Sequence, residues 1–407
     1  SLRTSGSSVF GTSRKYNTTW SVGVGWNLHK EKFIMDHVAW INVLKLRASI
    51  GNPGNQSFDS AQSLLTYAFQ FGSMNYFGLG AVLAQIGNPD LEWQITVDKN
   101  IGLDVTLFNK RFSLTADYYY KVTDPLLIKV STPLSSGTAT YMTNAGEQVS
   151  QGFTASVSYY VFQNFEKRFS WMVRANVRTQ KTRIDKIGNK LSTLNSSGKG
   201  SNTVRYYDGA DPDDIWAVKS AGIDPSNGKE LFYAKDGSYT YDFSYDDEVV
   251  CGNTRPDVEG VIGSSLNWKG FSVSLNFRYQ MGADVFNEAL YSKVENISRS
   301  DLNKNQDKRA LYERWQEEGD IVRFKNIASA ETTPMSSRFV QEENVLTLES
   351  IYVGYEFYDG WIKKLGLSSL KIQASMRDVF RASTIRSERG IAYPFARSME
   401  AGLSFNF

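Results

Sequence analysis

Between Phe271 and Ala283 apolar and polar residues take turns without a break. Phe271, Val273, Leu275, Phe277, Tyr279, Met281 and Ala283 alternate with Ser272, Ser274, Asn276, Arg278, Gln280 and Gly282. Successive side chains of a strand point to opposite faces, so this stretch has one greasy and one wet surface. The C-terminus repeats the pattern: Met399, Ala401, Leu403, Phe405 and Phe407 alternate with Ser398, Glu400, Gly402, Ser404 and Asn406. So do Trp20/Val22/Val24/Trp26, Leu44/Leu46/Ala48/Ile50, Ile101/Leu103/Val105/Leu107 and Phe112/Leu114/Ala116/Tyr118. Phe153/Ala155/Val157/Tyr159, Phe169/Trp171/Val173/Ala175, Val258 to Trp268 and Leu370/Ile372/Ala374/Met376 complete the set. One segment slips phase. Leu346 and Leu348 have one parity, Ile351, Val353, Tyr355 and Phe357 the other, so a bulge near Glu349-Ser350 is predicted.

These segments predict an all-β chain of about eleven long strands. Period two alone also suits a soluble sandwich. Two features favour a transmembrane antiparallel barrel instead. Several strands reach the roughly 9–11 residues that a membrane strand needs. The connections also alternate short and long, as in outer-membrane barrels. The short turns are Phe108 to Arg111, Gln163 to Arg168, Trp268 to Gly270 and Phe357 to Leu365; the long loops are about 52–90, 187–253, 286–343 and 381–395. With long loops extracellular, residue 1 starts outside and Phe407 ends in the periplasm. Trp26, Phe108, Phe112, Phe162, Phe169, Trp268, Phe271, Phe357, Phe405 and Phe407 fall at the short-turn ends, where an interfacial aromatic girdle belongs. An odd strand count implies that further strands lie outside these residues.

Composition narrows the function. Lys+Arg is 45 and Asp+Glu 43, a net charge of +2, without the basic excess of a nucleic-acid binder. Two His and one Cys leave no internal disulfide and argue against multi-ligand zinc sites. No stretch approaches the roughly 18 apolar residues of a membrane-spanning helix. Ser1 opens without a charged or apolar leader, so the chain reads as mature, processed or a fragment.

The residues then resemble a family. Ser21-Val-Gly-Val-Gly-Trp-Asn27, Leu44-Lys-Leu-Arg-Ala-Ser-Ile-Gly51, Gly54-Asn-Gln56, Gly87-Asn-Pro-Asp-Leu-Glu-Trp-Gln94 and Leu114-Thr-Ala-Asp-Tyr-Tyr-Tyr-Lys121 come first. Asn144-Ala-Gly146, Ala221-Gly-Ile-Asp-Pro225 with Asn227-Gly, Arg338-Phe-Val340, Leu348 to Phe357, Tyr393-Pro394 and a terminal strand closing on Phe follow in order. This ordered set is similar to the C-terminal half of the barrel in SusC/RagA-type TonB-dependent outer-membrane transporters. The resemblance implies a 22-stranded barrel with an N-terminal plug, to which residues 1–407 contribute barrel alone. It implies import of large nutrients, glycan or peptide, with a SusD-like surface lipoprotein as lid and with TonB supplying energy. No TonB box or plug is evident in the chain. Phe405 and Phe407 resemble the terminal aromatic signal read by the barrel-assembly machinery. A passive porin or a non-transport receptor barrel is the alternative reading.

Parity places Lys45, Arg47, Asp104, Asp117, Arg174, Arg178, Glu259, Arg278, Asp284, Lys371, Arg377 and Glu400 on polar, lumen-side faces. Both signs occur, so no single-sign selectivity ring is expected. The loop 203–247 concentrates Tyr206, Tyr207, Trp216, Tyr239, Tyr241 and Tyr245 with Asp211. Such residues suit substrate stacking, partner contact or internal packing. Asp208, Asp211, Asp213 and Asp214 crowd together but lack an EF-hand spacing, so no metal is assigned. Helical spacing at Leu290/Val294/Ile297, and charge from Asp307 to Glu318, predict short surface helices. His29, His37 and Cys251 form no nucleophile–base constellation. No catalysis and no cofactor are expected.

Overall fold

A computed structural model describes residues 1–7, 10, 15–54, 63–164, 166–301, 303–329, 331–358, 360–386 and 397–407. Asn55, Gln56, Tyr393 and Pro394 of the sequence motifs, and parts of the first and last long loops, lie outside the described residues. Twelve strands pair in one antiparallel sheet, in chain order. They are β1 (Leu2–Gly6), β2 (Tyr16–Trp26), β3 (Ile41–Asn52), β4 (Thr96–Leu107), β5 (Phe112–Thr123) and β6 (Glu147–Asn164). Then come β7 (Phe169–Asp185), β8 (Val258–Trp268), β9 (Phe271–Phe286), β10 (Val340–Phe357), β11 (Ser369–Ser383) and β12 (Met399–Asn406). β1 and β12 are its edges.

Register turns the alternation of single strands into continuous faces. Phe162, Trp171, Leu266, Val273, Val353, Ala374 and Ala401 are successive partners across β6 to β12. On the opposite side Ser158, Arg174, Gly263, Asn276, Ser350 and Arg377 follow one another. A one-residue slip would mix the two rows, so the phase change in β10 needs a bulge. It lies where the sequence puts it: Asn276 faces Ser350 and Phe277 faces Leu348, leaving Glu349 over. The neighbouring strand answers with its own irregularity, Ser350 facing Arg377 and Leu348 facing Phe380.

Among the described residues much of the apolar face is uncovered. Val22, Val24, Ile101, Ile262, Val353 and Leu403 are all exposed. The accessible surface is 25069 Å², against roughly 16,000 Å² for a globular chain of this size. Buried apolar clusters are found instead in the long connections, for example Leu126, Val130, Ile184, Ile187 and Leu191, and Leu290, Val294, Phe324 and Phe339. On β9 the apolar row, half-buried from Phe271 to Tyr279 and exposed at Met281, spans Phe271 to Met281. Ten residue steps of about 3.4 Å, tilted about 40°, rise roughly 26 Å, the height of an outer-membrane apolar band. Aromatic rings close the band at the short-turn end: Phe169 faces Trp268, Trp268 faces Phe271, and Tyr355 meets Phe357 at 4.6 Å.

Four expectations are corrected. β1 makes the count twelve rather than eleven, because Leu2-Arg-Thr-Ser-Gly6 is too short and polar to show a period. Leu2 pairs with Trp20 and β1 runs antiparallel to β2, so residue 1 starts at mid-wall and not at the long-loop end. A further connection, 124–146, carries its own hairpin, Leu127–Ser131 with Thr140–Asn144. Asp307 to Glu318 holds only the 3-10 turn Lys308–Leu311; Asp307 caps it, and Glu313 adopts a positive φ of 56° that ends helical continuation. The first predicted helix is present as Leu290–Glu295.

Phe277→Arg puts a charge at the middle of the apolar row. Refolding into lipid vesicles should show a loss of about 2–4 kcal/mol, whereas Ser274→Arg on the wet face should cost much less. Equal costs would remove the two-faced wall.

Candidate functional site

On the wet face the charges form ion pairs between neighbouring strands. Arg47 Nε donates to Asp104 at 2.8 Å, and its Nη2 lies 3.1 Å from Asp117, joining β3, β4 and β5. Lys121 meets Asp98 at 3.0 Å and Arg178 meets Glu259 at 3.4 Å. Arg174 Nη2 donates to Asn276 at 2.8 Å, spanning β8, where Gly263 leaves room for it. Arg278 pairs with Glu349, the bulge residue. Asp284 does not belong to this face. The irregularity at Gly282 shifts it to the other side, where it accepts from the Asn253 N–H at 3.1 Å.

The loop 186–257 carries most of the residues that the sequence marks as candidates. Arg205, fully buried, makes a bidentate pair with Glu248 (2.9 and 2.7 Å) and so closes the base of the loop. Its remaining donors reach the carbonyls of Asn202 and Val204. Arg255 ties the loop to the wall, donating to Thr182 of β7 at 2.8 Å and pairing with Asp211 and Asp213. The crowded aspartates are thus held by protein donors: Asp208 accepts from the Ile187 N–H, and Asp214 from the N–H of Asp211 and from Asn253.

Inside this frame a strand, Asp214–Val218, pairs with Glu248–Asn253. Ile215 and Ala217 point inward and are buried, so Trp216 projects from the opposite face. Its ring lies 4.9 Å from that of Tyr207. Together with Tyr245, Lys199, Lys235 and Asp246 they line a cavity of about 660 Å³. Lys199 and Asp246 pair across it at 2.9 Å. The hydrogen bond to Asp246 raises the Lys199 pKa, and the same bond lowers that of Asp246. An aromatic wall beside fixed charges suits a ligand with both a flat apolar face and polar groups.

The other candidates separate. Tyr206 packs on the cluster of Leu126, Ile184 and Leu191. Asp211 serves Arg255. Tyr239 meets Tyr233 at 4.9 Å on an exposed hairpin. Tyr241 donates to Asp224, which lowers the carboxyl's pKa and raises the phenol's. So the fold brings Tyr207, Trp216 and Tyr245 together and leaves the remaining four elsewhere. Cys251 donates to the Ala217 carbonyl, and burial pushes its pKa up.

Two features had no reading in the sequence. Arg338 clasps two long loops, with Nη2 at 2.8 Å from Glu230 and 2.7 Å from Glu295. All three side chains are almost wholly buried. Burial by itself would lower the Arg338 pKa, but the hydrogen bonds and charges of the two glutamates outweigh it and the pKa rises. Next to it Lys325 is pushed down by burial. The second feature is a hairpin, Thr66–Asn75 with Gly78–Gln85, in the first long loop. Phe71, Tyr76 and Phe77 are 82%, 96% and 93% exposed, and Tyr67 and Phe69 are exposed too. The signal is a run from Ser60 to Pro89 without a charged residue or His.

Comparisons with known proteins agree with this architecture. A family profile described as TonB dependent receptor-like, beta-barrel, matches residues 1–297. TonB-dependent receptor P39 of Formosa agariphila is 26% identical over 93% of this chain and 40% of its own length. TonB-dependent receptor SusC of Bacteroides thetaiotaomicron is 25% identical over 100% of this chain and 42% of its own. The chain therefore spans about two fifths of these relatives. Among solved structures, the RagAB peptide importer in its closed-closed state superposes with a TM-score of 0.85 at 23% identity, over 100% of this chain and 45% of that one. The RagAB peptide transporter gives 0.82 at 22% identity, over 95% and 42%.

Arg338→Ala leaves two glutamates buried and unpaired. Hydrogen exchange should accelerate in 223–243 and 290–339, reporting a local loss of about 3–5 kcal/mol, while β6 to β9 keep their protection. Unchanged exchange in both loops would show that the clasp holds nothing.

Proposed function

This chain belongs to the TonB-dependent receptor-like β-barrel family, and from that premise we propose that it forms part of the wall of a TonB-dependent nutrient importer in the bacterial outer membrane. The observation that carries the reading is the bare apolar face, about 26 Å tall by strand geometry, opposite a face of ion-paired and hydrogen-bonded polar residues. The first side meets hydrocarbon; the second lines the lumen and holds Arg47, Arg174, Arg178, Arg278 and Arg377. Edges β1 and β12 are closed by strands beyond these 407 residues, since an unpaired edge is not tolerated in lipid. Twelve strands supply a little over half of a 22-stranded wall of the kind that surrounds a plug. The plug and the contact with TonB belong to the remaining part.

Orientation follows from loop length: long loops outside, short aromatic turns and Phe407 toward the periplasm. Phe405 and Phe407 then supply the assembly signal. At the outer mouth the two candidate surfaces divide the work. The Tyr207/Trp216 cavity touches cargo, glycan or peptide, by stacking and by its charged rim. The uncharged hairpin docks the lipoprotein lid. A two-stranded hairpin is marginal in water by itself, and exposed aromatics of this density mark a protein contact. Tyr239 and Tyr241 are exposed on a hairpin of their own.

Two variants of the complete transporter test the division. Tyr76→Ser with Phe77→Ser should reduce co-purification of the lid at least tenfold without changing barrel assembly. Trp216→Ala should weaken cargo retention and leave lid binding intact. If the first variant keeps its lid and imports normally, the hairpin is not the docking surface.

A further inference from the structure

One row of the apolar face breaks the rule that the face obeys elsewhere. Ile50, Lys99, Tyr120, Gln151 and Lys181 are direct cross-strand partners from β3 to β7. They stand immediately above the apolar band, on its long-loop side. Below them these strands show no Asp, Glu, Lys or Arg on that face. Lys99 and Lys181 have no carboxylate partner among the described residues. This contrasts with Lys121 on the opposite side, which is paired with Asp98. The Lys99 ammonium lies 5.8 Å from the centre of the Tyr120 ring, so an aromatic face supports it from the side.

Directly beneath Lys99 the wall is dented. Ala48 stands between Val24 and Ile101 in register. Its methyl forms a low floor, and Val22, Ile50 and Tyr118 complete the sides of a trough of about 460 Å³. The trough is apolar, opens outward and ends at an unpaired cation. Its position in the band supplies hydrocarbon as the medium, and the cation selects a negative group at the band's edge.

We propose that the Ala48 trough and Lys99 bind one acylated, phosphate-bearing lipid, with a chain lying over Ala48 and the phosphate on the Lys99 ammonium. Lys181, three strands along the row and so about 14 Å away, receives the far side of a large headgroup. The site rests on the membrane reading above. It differs from the cargo cavity and the lid surface in lying on the outer wall. The phosphate has two sources, a glycerophospholipid or a lipopolysaccharide, which share the chemistry of an anion above acyl chains.

The test uses the complete transporter, extracted in detergent, washed free of bulk lipid and examined by native mass spectrometry. Wild type should retain about one phosphate-bearing lipid per chain. Lys99→Gln should lower its occupancy about fivefold, the worth of one lysine at a charged surface. Ala48→Trp, which fills the trough and keeps the charge, should lower it at least as much. Fragment masses of the released molecule tell glycerophospholipid from lipopolysaccharide, and either supports the site. Occupancy equal in all three proteins, or a wild type stripped bare by the wash, overturns it. Gel migration before and after heating shows that each variant is folded. A protein soluble without detergent would instead overturn the membrane reading itself, and the two failures are thereby distinct.

Discussion

Pairing of backbone groups in a medium without water is the constraint on which the rest of this structure depends. In hydrocarbon a free N–H or C=O costs several kcal/mol, so a spanning strand must hydrogen-bond on both sides. The ladder does this for the strands from β3 to β10, while β2 shares only Trp20 between its two neighbours and β11 meets β12 over Ser369–Met376 alone. Once pairing is fixed, side chains have only two directions left, and the sequence divides them by polarity. The exposed valines and isoleucines of one face would be an aggregation hazard in water. Facing lipid they cost nothing, which is why most of the described buried clusters lie in the loops and not in the wall.

The two faces are stabilised by different forces. Ion pairs on the wet face, such as Arg47 with Asp104 and Asp117, are partly exposed and weak singly, yet they link three adjacent strands. Away from the band the chain reverts to the habits of soluble proteins. The loops bury Ile187, Val294 and Phe339, and they fix their ends with buried pairs, Arg205 with Glu248 and Arg338 with two glutamates.

The wall was legible because a strand writes its environment into every second residue. Phe271 to Met281, the bulge at Glu349 and the aromatic short-turn ends all follow from parity. β1 was not legible, since five mostly polar residues carry no period. The loops were legible in composition and not in arrangement. Tyr206 and Tyr207 are adjacent, yet one packs inward and the other faces the cavity, a difference decided by Ile184 and Trp216, which are distant in sequence. The Arg338 clasp joins residues separated by more than a hundred positions, from Glu230 onward, and no local pattern announces it. The exposed hairpin at 66–85 did leave a trace, its missing charges, but that signal is an absence and a search for motifs passes over it.

The central claim is that alternate residues of one strand touch lipid and water. Single cysteines placed from Ser272 to Phe277, on a Cys251→Ser background and carrying a fluorophore, test it in the assembled barrel. Lipid-borne nitroxides should quench labels at 273, 275 and 277, and an aqueous quencher should reach 272, 274 and 276. Equal quenching by both agents along the strand, or the opposite parity, would contradict the account.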